Sequence, residues 1–302
     1  MSKKLIKKLN TKEFEKPGIL RNIFYSFFIH PILNVLSLHH QSQVKKSHKL
    51  ANDVIEYKTS HKALEIIYTS KYSSFSKSLS EKLFYHIWMN TNNARGLRNR
   101  LSITENCIEE HIRFFYAKGE RDLQLLSIAS GSARSFLEVL QRLKGLHNLK
   151  IHITFLDKSN SALEYSKGLF SDFDTGEIKC TFKWIQDTAN NFLRNLPEGQ
   201  NYHLVEMVGL MDYFDDKKAG DVSKAVHNKL KSNGCFVTAN IISNKEKTFM
   251  SNIVDWKMIY RKPVDFLNII LKTDFSQNNT IAYVEPMGVH VIIKAIKDDY
   301  SN

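Results

Sequence analysis

The sequence predicts an α/β protein in which a helical amino-terminal region precedes a mainly parallel sheet. Apolar residues recur at helical spacing before residue 118, whereas short apolar runs alternate with helical stretches from residue 122 onward. The end of the chain adds two apolar runs joined by a four-residue connection. Alternating strands and helices imply parallel strands that are joined by right-handed crossovers.

The helical region is assigned to residues 1–118. Apolar side chains recur at helical spacing over residues 50–67 and 79–87, and a further helix is predicted from Thr104. Lys118 and Gly119 then end the helical pattern. We therefore expect an all-helical cap or lid at residues 1–118 and a separate sheet domain at residues 119–302.

The sheet domain is predicted to contain five parallel strands and a carboxyl-terminal antiparallel hairpin. The strands are predicted at 123–129, 151–156, 180–185, 203–208 and 235–241, with helices at 135–144, 160–169, 188–196 and 217–231. The hairpin comprises residues 280–284 and 289–296 around Glu285-Pro286-Met287-Gly288. Five strand–helix units followed by a hairpin are the layout of a Rossmann-like class I methyltransferase domain, whereas the ordinary dinucleotide dehydrogenase sheet lacks the hairpin.

The positive charge of the chain is concentrated at its start. The formal net charge is +12, and residues 1–60 hold eleven Lys and Arg against four Asp and Glu. Such a segment could contact nucleic acid or an anionic lipid surface, or it could simply be solvated. The three cysteines are far apart and form no C-x-x-C pair, so a reducing compartment is expected.

One apolar run, FYSFFIHPILNVLSL at 24–38, raises the question of a membrane segment. It contains His30 and Pro31 and is shorter than the roughly 20 residues that a spanning helix needs. No signal peptide is visible either. The run is therefore interpreted as a core-facing helix with a proline break, with an interfacial or acyl-binding surface as the alternative.

The predicted cofactor loop follows the first strand and consists of small residues. Small side chains let a cofactor approach the backbone, and the amino terminus of the next helix presents N–H groups. We assign Ser130, Gly131 and Ser132 to cofactor binding, with Gly131 permitting the tight turn. Only one glycine is present, unlike in G-x-G-x-x-G, so an ordinary strand–helix turn is the alternative.

Acidic residues lie at the tips of the second and third predicted strands. Asp157 suits the paired hydroxyls of an adenosine ribose, because a carboxylate can accept both hydrogen bonds, and Lys158 is grouped with it. Gln186 and Asp187 occupy the position where such domains hold the adenine edge, and an Asp can accept from the exocyclic amine. For either acid, a helix-capping role is the alternative.

The fourth strand leads into Gly209, Asp212 and Tyr213, and the carboxyl ends of parallel strands face the ligand crevice. Gly209 is assigned to the cofactor, and Asp212 and Tyr213 are placed near the transferred methyl group. Tyr260 and Arg261 lie on a predicted helix before the hairpin, where Arg261 could fork a substrate carboxylate. Core packing for Tyr260 and a surface ion pair for Arg261 are the alternatives.

Three arginines precede the predicted third helix: Arg95, Arg98 and Arg100. They could close over the carboxylate of the cofactor or the substrate, or they could form a solvated basic face. No histidine or cysteine spacing matches a metal site, so no metal is expected.

Five stretches carry a family resemblance: NNARGLRNRL at 92–101, ASGSAR at 129–134, GLMDYF at 209–214, DWKMIYRKP at 255–263 and EPMGVHVIIK at 285–294. Residues 92–296 resemble bacterial class I methyltransferases related to the enzyme that makes 3-hydroxy fatty-acid methyl ester signals. The resemblance implies the fold, S-adenosyl-L-methionine as cofactor and an acyl acceptor. The cofactor loop departs from the usual pattern, since Ser and Ala stand where further glycines are common.

The sequence thus predicts a cytoplasmic S-adenosylmethionine-dependent methyltransferase that acts on a small molecule, possessing no transmembrane segment. A nucleic-acid methyltransferase is one alternative, suggested by the charge but opposed by the absence of an N/D-P-P-Y/F tetrapeptide. A protein that binds S-adenosylmethionine without methylating is the other. Peripheral membrane contact through the basic amino-terminal segment is a further expectation.

Overall fold

The structure is a computed structural model in which residues 2–36, 38–69, 78–197 and 199–299 are described. Its centre is an eight-stranded sheet with the strand order β1-β7-β8-β6-β5-β2-β3-β4. The strands are β1 (Ile6–Lys8), β2 (Asp122–Ile128), β3 (Lys150–Asp157), β4 (Lys179–Gln186), β5 (Tyr202–Met207), β6 (Leu230–Ile241), β7 (Thr280–Val284) and β8 (His290–Ile296).

Neighbouring strands run parallel throughout the sheet except at β8, which is antiparallel to both β6 and β7. This order, with the β7–β8 hairpin at the end of the chain, confirms the predicted class I methyltransferase sheet. Every residue of β5 is buried, because the strand lies in mid-sheet and is covered on both faces.

Helices cover the sheet and form the amino-terminal region. A π-helical turn, Tyr25–Ile29, joins α1 to α2, so that residues 19–35 form one continuous helical segment. None of the described helices is long and apolar enough to cross a bilayer. The α-helices are α1 (Ile19–Phe24), α2 (His30–Val35), α3 (Gln41–Ser47), α4 (Lys49–Glu56), α5 (His61–Thr69), α6 (Leu79–Met89), α7 (Asn92–Ala117), α8 (Arg134–Leu143), α9 (Asn160–Ser171), α10 (Ala189–Asn195), α11 (Asp216–Asn228), α12 (Lys247–Asn252) and α13 (Pro263–Leu271).

The amino-terminal region is helical, as predicted, with one exception. The short strand β1 pairs in parallel with β7, placing Ile6 opposite Ala282, and it forms one edge of the sheet. Three residues are too few to show a periodic pattern, so the sequence could not reveal this strand.

The longest helix, α7, begins earlier than the sequence predicts. The Thr91 hydroxyl caps its first turn, and the buried Glu246 carboxylate accepts hydrogen bonds from the backbone N–H groups of Asn92 (2.7 Å) and Asn93 (2.9 Å). The predicted start at Thr104 is therefore wrong, and the three arginines lie inside the helix rather than before it. The cap was missed because its carboxylate comes from a residue that is distant in sequence.

Helix α7 crosses the sheet at close range. A Cβ atom on Gly96 would lie only 2.8 Å from the Cβ of Val289, so a larger residue could not sit there without moving its neighbour. Farther along, the apolar side of α7 packs into the core on one face of the sheet, through residues such as Ile108 and Ile112. The helix is thereby fixed against the hairpin end of the sheet.

Residues 253–262 form an irregular segment, so the predicted helix carrying Tyr260 and Arg261 is wrong. The backbone N–H of Arg261 donates to the carbonyl of Ile241 (3.0 Å) instead of to a preceding helical turn. Asp255 adopts a left-handed conformation with φ 52°, which also interrupts helical geometry. Contacts with the end of the sheet thus override the local helical pattern.

Candidate functional site

The predicted cofactor loop makes a tight turn between β2 and α8. Ala129, Gly131 and Ala133 all have positive φ angles, of 55°, 55° and 54°. Only glycine adopts this conformation without steric cost, so the two alanines are held there by the surrounding contacts. The backbone N–H of Gly131 donates to Oδ2 of Asp157 (2.9 Å), which joins the loop to the tip of β3.

Asp157 organises the loop rather than capping the next helix. Its Oδ1 accepts from the backbone N–H of Ser159 (2.8 Å), while its Oδ2 accepts from Gly131. The cap of α9 is Ser159, whose hydroxyl accepts from Ala162. The capping alternative for Asp157 is therefore excluded, and each of its carboxylate oxygens retains a lone pair for another donor.

Helix α5 covers this loop. Ser132 donates to Oε1 of the buried Glu65 (2.6 Å), Tyr165 donates to Oε2 (3.1 Å), and the Arg134 guanidinium forms an ion pair with the same carboxylate. His61, one turn earlier, has its Cβ 3.7 Å from where a Cβ on Gly131 would lie. The amino-terminal region thus contacts the predicted cofactor loop directly. The contact was missed because no local pattern marks Glu65.

The predicted adenine-edge residues lie at the surface, at the tip of β4. Both carboxylate oxygens of Asp187 accept from the Asn191 side-chain amide, at 3.0 and 2.8 Å. Thr188 is the cap of α10. The Gln186 side chain donates to the backbone carbonyl of Lys158 (3.3 Å). These residues flank the loop along the β3–β4 edge, separate from the cleft described next.

A cleft opens at the carboxyl ends of β5 and β6, beneath the amino-terminal helices. These strand ends lie beside β2, whose loop faces the same edge of the sheet. Its walls combine apolar and polar side chains in similar numbers. The lining residues are Thr59, Ser60, Leu64, Asn93, Leu97, Arg100, Gly209, Asp212, Tyr213, Ile241, Met250, Trp256, Met258 and His290. Gly209, Asp212 and Tyr213, which the sequence assigns to the cofactor and to the transferred methyl group, thus lie together in this cleft, and their roles stay predictions.

Arg100 is the cation of this cleft. Its side chain is 4% exposed, and its guanidinium donates to the Tyr68 hydroxyl (2.9 Å). Nε has no hydrogen-bond partner, and among the described residues no Asp or Glu forms an ion pair with the group. Nη1 would lie 3.7 Å from a Cβ on Gly209, a residue with φ +95°. A buried, weakly paired guanidinium therefore faces the floor of the cleft.

The other two arginines of α7 have structural partners. Arg95 donates to the Lys16 carbonyl (2.9 Å), and Arg98 donates to Glu15 (2.9 Å) and to the Met89 carbonyl (2.8 Å). These contacts hold the amino-terminal chain against the helix. Neither arginine lines the cleft described above.

Two carboxyl groups near Arg100 have raised pKa values. Burial raises the pKa of Asp212 to about 6 and that of Glu206 to about 7, in both cases against the opposing effect of Arg100. Asp212 accepts from the backbone N–H of Ile241 (2.7 Å), and Glu206 accepts from the Ser127 hydroxyl (2.5 Å). Glu206 was missed because it lies within an apolar strand sequence.

Aromatic and imidazole groups complete the cleft wall. The Tyr213 hydroxyl accepts from Nε1 of Trp256 (2.6 Å), which fixes both rings. Burial, and then the charge of Arg100, lowers the pKa of His290 well below its ordinary value. A neutral imidazole leaves Arg100 as the cation that the cleft presents.

Arg261 does not line the cleft, and its donors bind protein acceptors. The side chain is 5% exposed. It donates to Asp216 Oδ1 (2.9 Å), the Met211 carbonyl (3.0 Å), Asn240 Oδ1 (2.6 Å) and the Phe214 carbonyl. The geometry therefore favours a structural role over the predicted contact with a substrate carboxylate.

Tyr260 does not line the cleft either. Its hydroxyl is buried without a hydrogen-bond partner among the described residues, and Lys247 Nζ lies 4.8 Å from its ring centroid. Burial, aided by the charge of Asp212, raises its pKa to about 12. Within the described part of the chain, no group of three or more His, Cys, Asp or Glu side chains could hold a metal ion.

Comparison with known proteins gives a family and a fold. The sequence profile of the family described as "Putative methyltransferase" matches residues 44–237. Among curated proteins, no sequence matches the chain. Among solved structures, a protein described as a possible exported protein from Bordetella parapertussis superposes with a TM-score of 0.64 at 14% identity, covering 83% of this chain and 86% of that one.

A second similar structure is the magnesium protoporphyrin IX methyltransferase from Synechocystis PCC 6803 with bound S-adenosylmethionine. It superposes with a TM-score of 0.47 at 12% identity, covering 77% of this chain and 97% of that one. At 14% identity, the likeness to the Bordetella parapertussis protein concerns the fold alone. Because the family profile matches more than half of the residues and the sheet has the class I order, the chain belongs to this methyltransferase family, the S-adenosylmethionine-dependent class that the sequence predicts.

Proposed function

We propose that the chain transfers the methyl group of S-adenosylmethionine to the carboxylate of a small amphiphilic acid. The observation that carries this proposal is Arg100, a buried guanidinium in the cleft that, among the described residues, forms no direct ion pair, although the charge of Asp212 acts on it. A buried cation is stabilised most by an anion in direct contact with it, so a ligand anion is the expected partner for its free donors. The 3-hydroxy fatty acids implied by the sequence resemblance belong to this chemical class.

The loop after β2 has groups that suit the cofactor. Asp157 retains lone pairs for the two ribose hydroxyls, and the buried Ser130 hydroxyl has no hydrogen-bond partner among the described residues. A Cβ on Gly131 would meet only the Cβ of His61 within 4 Å, so little side-chain bulk stands next to the loop backbone at this residue. When bound, S-adenosylmethionine supplies an electrophilic methyl group on its sulfonium sulfur.

The acceptor chemistry needs little from the protein beyond position. A carboxylate oxygen forms the new bond to the methyl carbon while the bond from that carbon to sulfur breaks, giving a methyl ester and S-adenosylhomocysteine without moving a proton. Arg100 would orient the acceptor by donating to the carboxylate. Leu97 and Trp256 would pack against its apolar part and exclude water.

The first test is an acceptor screen with methyl-labelled S-adenosylmethionine. Straight-chain 3-hydroxy fatty acids and fatty acids are compared with the amides and alcohols of the same chain length. We expect methyl ester formation from the acids and negligible transfer to the neutral analogues. Equal transfer to the neutral analogues would contradict the proposed acceptor class.

The second test separates the acceptor carboxylate from the carboxylate of the cofactor. Arg100→Met removes the guanidinium, and Arg100→Lys keeps a cation without the fork. We expect Arg100→Met to raise the KM of the acid by about 100-fold, as for loss of a charged hydrogen-bonded pair. The Kd for S-adenosylhomocysteine should be unchanged by calorimetry. A matching loss of S-adenosylhomocysteine affinity would instead place the cofactor on Arg100 and overturn the acceptor assignment.

A further inference from the structure

The helical segment at residues 19–35 has its apolar face turned to solvent. Exposed large apolar residues recur in pairs about every four positions, which places them along one side of a helix. They are Ile19, Leu20, Ile23, Phe24, Phe27, Phe28, Ile32 and Val35, with exposed fractions between 45% and 84%. At 1.5 Å per residue the segment is roughly 25 Å long. The expectation of a core-facing helix is therefore wrong for this outer face, although Ile29 and Leu33 on the inner face do pack against the core. Position 37 lies outside the described residues.

The opposite side of the same segment is anchored to the protein. The Tyr25 hydroxyl donates to the Ile87 carbonyl (2.7 Å), and His30 contacts the buried Glu246 (3.2 Å). Arg21 donates to the Asn92 side chain (2.7 Å). On this inner side Ile29 is also buried and Leu33 packs against the core, so the segment is apolar on both sides. A helix that is apolar all round is normally buried, whereas here the outer side is exposed.

The stretch of sequence that contains the segment carries basic but no acidic residues. Residues 17–52 contain no Asp or Glu. Lys45 and Lys46 follow on α3, and among the described residues neither forms an ion pair. The exposed Lys245 contacts Ser26 within the segment (3.3 Å). An outward apolar face flanked by lysines is the composition of helices that lie in the interface of an anionic membrane.

We propose that residues 19–35, which we call the surface helix, dock the protein on an anionic lipid bilayer. The apolar face would enter the boundary between headgroups and acyl chains, and the lysines would contact lipid phosphates. The cationic flank distinguishes this occupant from a second copy of the chain, because like charges would meet across such a dimer. The proposal is independent of the acceptor, since it rests on surface residues outside the cleft.

The test is sedimentation of the full chain with vesicles of phosphatidylcholine alone or mixed with phosphatidylglycerol. We expect binding to the mixed vesicles and a loss on the order of tenfold or more in Phe27→Ser/Phe28→Ser, because two exposed rings no longer enter the bilayer. Lys45→Glu/Lys46→Glu should lose binding to the mixed vesicles most strongly at low salt. Phe114→Ser, at a 37% exposed ring on α7, is the matched control and should bind like the wild type.

Two outcomes would overturn the proposal. The first is absence of binding to mixed vesicles by a folded wild-type chain. The second is a dimer by analytical ultracentrifugation that Phe27→Ser/Phe28→Ser converts to a monomer while vesicle binding is absent, which would make the surface helix a self-association face. Methyl transfer to soluble acids by the same double variant should stay at the wild-type level, so a failure here leaves the proposed acceptor untouched.

Discussion

Two buried arginines at the carboxyl end of the sheet have opposite surroundings. Within the described part of the chain, the guanidinium of Arg261 donates to four protein acceptors, whereas that of Arg100 donates to one tyrosine hydroxyl and leaves Nε without a partner. They are almost equally buried, at 5% and 4% exposure. Burial alone therefore does not mark a ligand site. What distinguishes these two arginines is the number of protein acceptors that each guanidinium contacts.

The largest expected effect is a difference in folding stability between variants of the two arginines. Arg261→Met would leave Asn240 Oδ1 and the Phe214 carbonyl without their donor, while the Met211 carbonyl would keep only the Phe214 N–H. We therefore expect the free energy of unfolding to fall by about 3–5 kcal/mol. Arg100→Met removes a cation with one hydrogen bond, and the expected change is below about 1 kcal/mol. Urea unfolding of the two variants measures both. Similar losses would show that Arg100 also has a structural role.

The next largest effect concerns the pH dependence of stability, through the buried carboxyl group of Glu206 near Arg100. Burial raises the pKa of Glu206 to about 7 in the folded state, so its proton stabilises the fold at low pH and this contribution is lost as pH rises towards 7. Glu206→Gln should therefore raise the free energy of unfolding at about pH 8 by about 3 kcal/mol, since one pKa unit corresponds to about 1.4 kcal/mol.

The same variant should change stability little at about pH 5, where Glu206 is mostly protonated in the folded chain. Glutamine can still accept from the Val208 N–H and donate to Ser127, so the two hydrogen bonds of the acid are preserved. Urea unfolding at both pH values is the measurement. An equal change at the two pH values would mean that Glu206 is not protonated in the folded state.

A smaller effect should separate the two predicted cofactor acids. Asp157→Ala removes the carboxylate that joins the loop to β3, and we expect the Kd for S-adenosylhomocysteine to rise at least about tenfold, or 1.4 kcal/mol. Asp187→Ala removes a surface acid that already binds Asn191, and a change below about threefold is expected. Calorimetric titration measures both variants. Equal losses of S-adenosylhomocysteine affinity in the two variants would support the predicted contact of Asp187 with the adenine.

A feature of this structure could be predicted from the sequence only where the interacting residues lie close together in the chain. Strand and helix patterns are local, so the five parallel strands, the hairpin and the positions of Asp157 and Gly209 could be derived from periodicity. The segment carrying Arg261 could not, because its backbone binds the end of β6 rather than itself. Glu65 and Glu246 were likewise missed, since each binds groups that are distant in the chain.

The role of Arg100 could be predicted only in part. Its presence in an arginine-rich stretch was visible, but the choice among three arginines required the helix phase and the partners of Arg95 and Arg98. The surface helix was visible as an apolar run, but the direction of its apolar face was not. Such directions follow from tertiary contacts, for example the hydrogen bond of Tyr25 to α6.

The close approach of Gly96 to Val289 has a consequence for sequence variation. With 2.8 Å between a Cβ at position 96 and the Cβ of Val289, these two positions share one fixed volume. A relative that gains a methyl group at the first position must lose bulk at the second, or its helix shifts outward and displaces Arg100 one turn later. Positions 96 and 289 should therefore covary. Together their side chains set the distance between α7 and the hairpin, and this distance places Arg100 in the cleft.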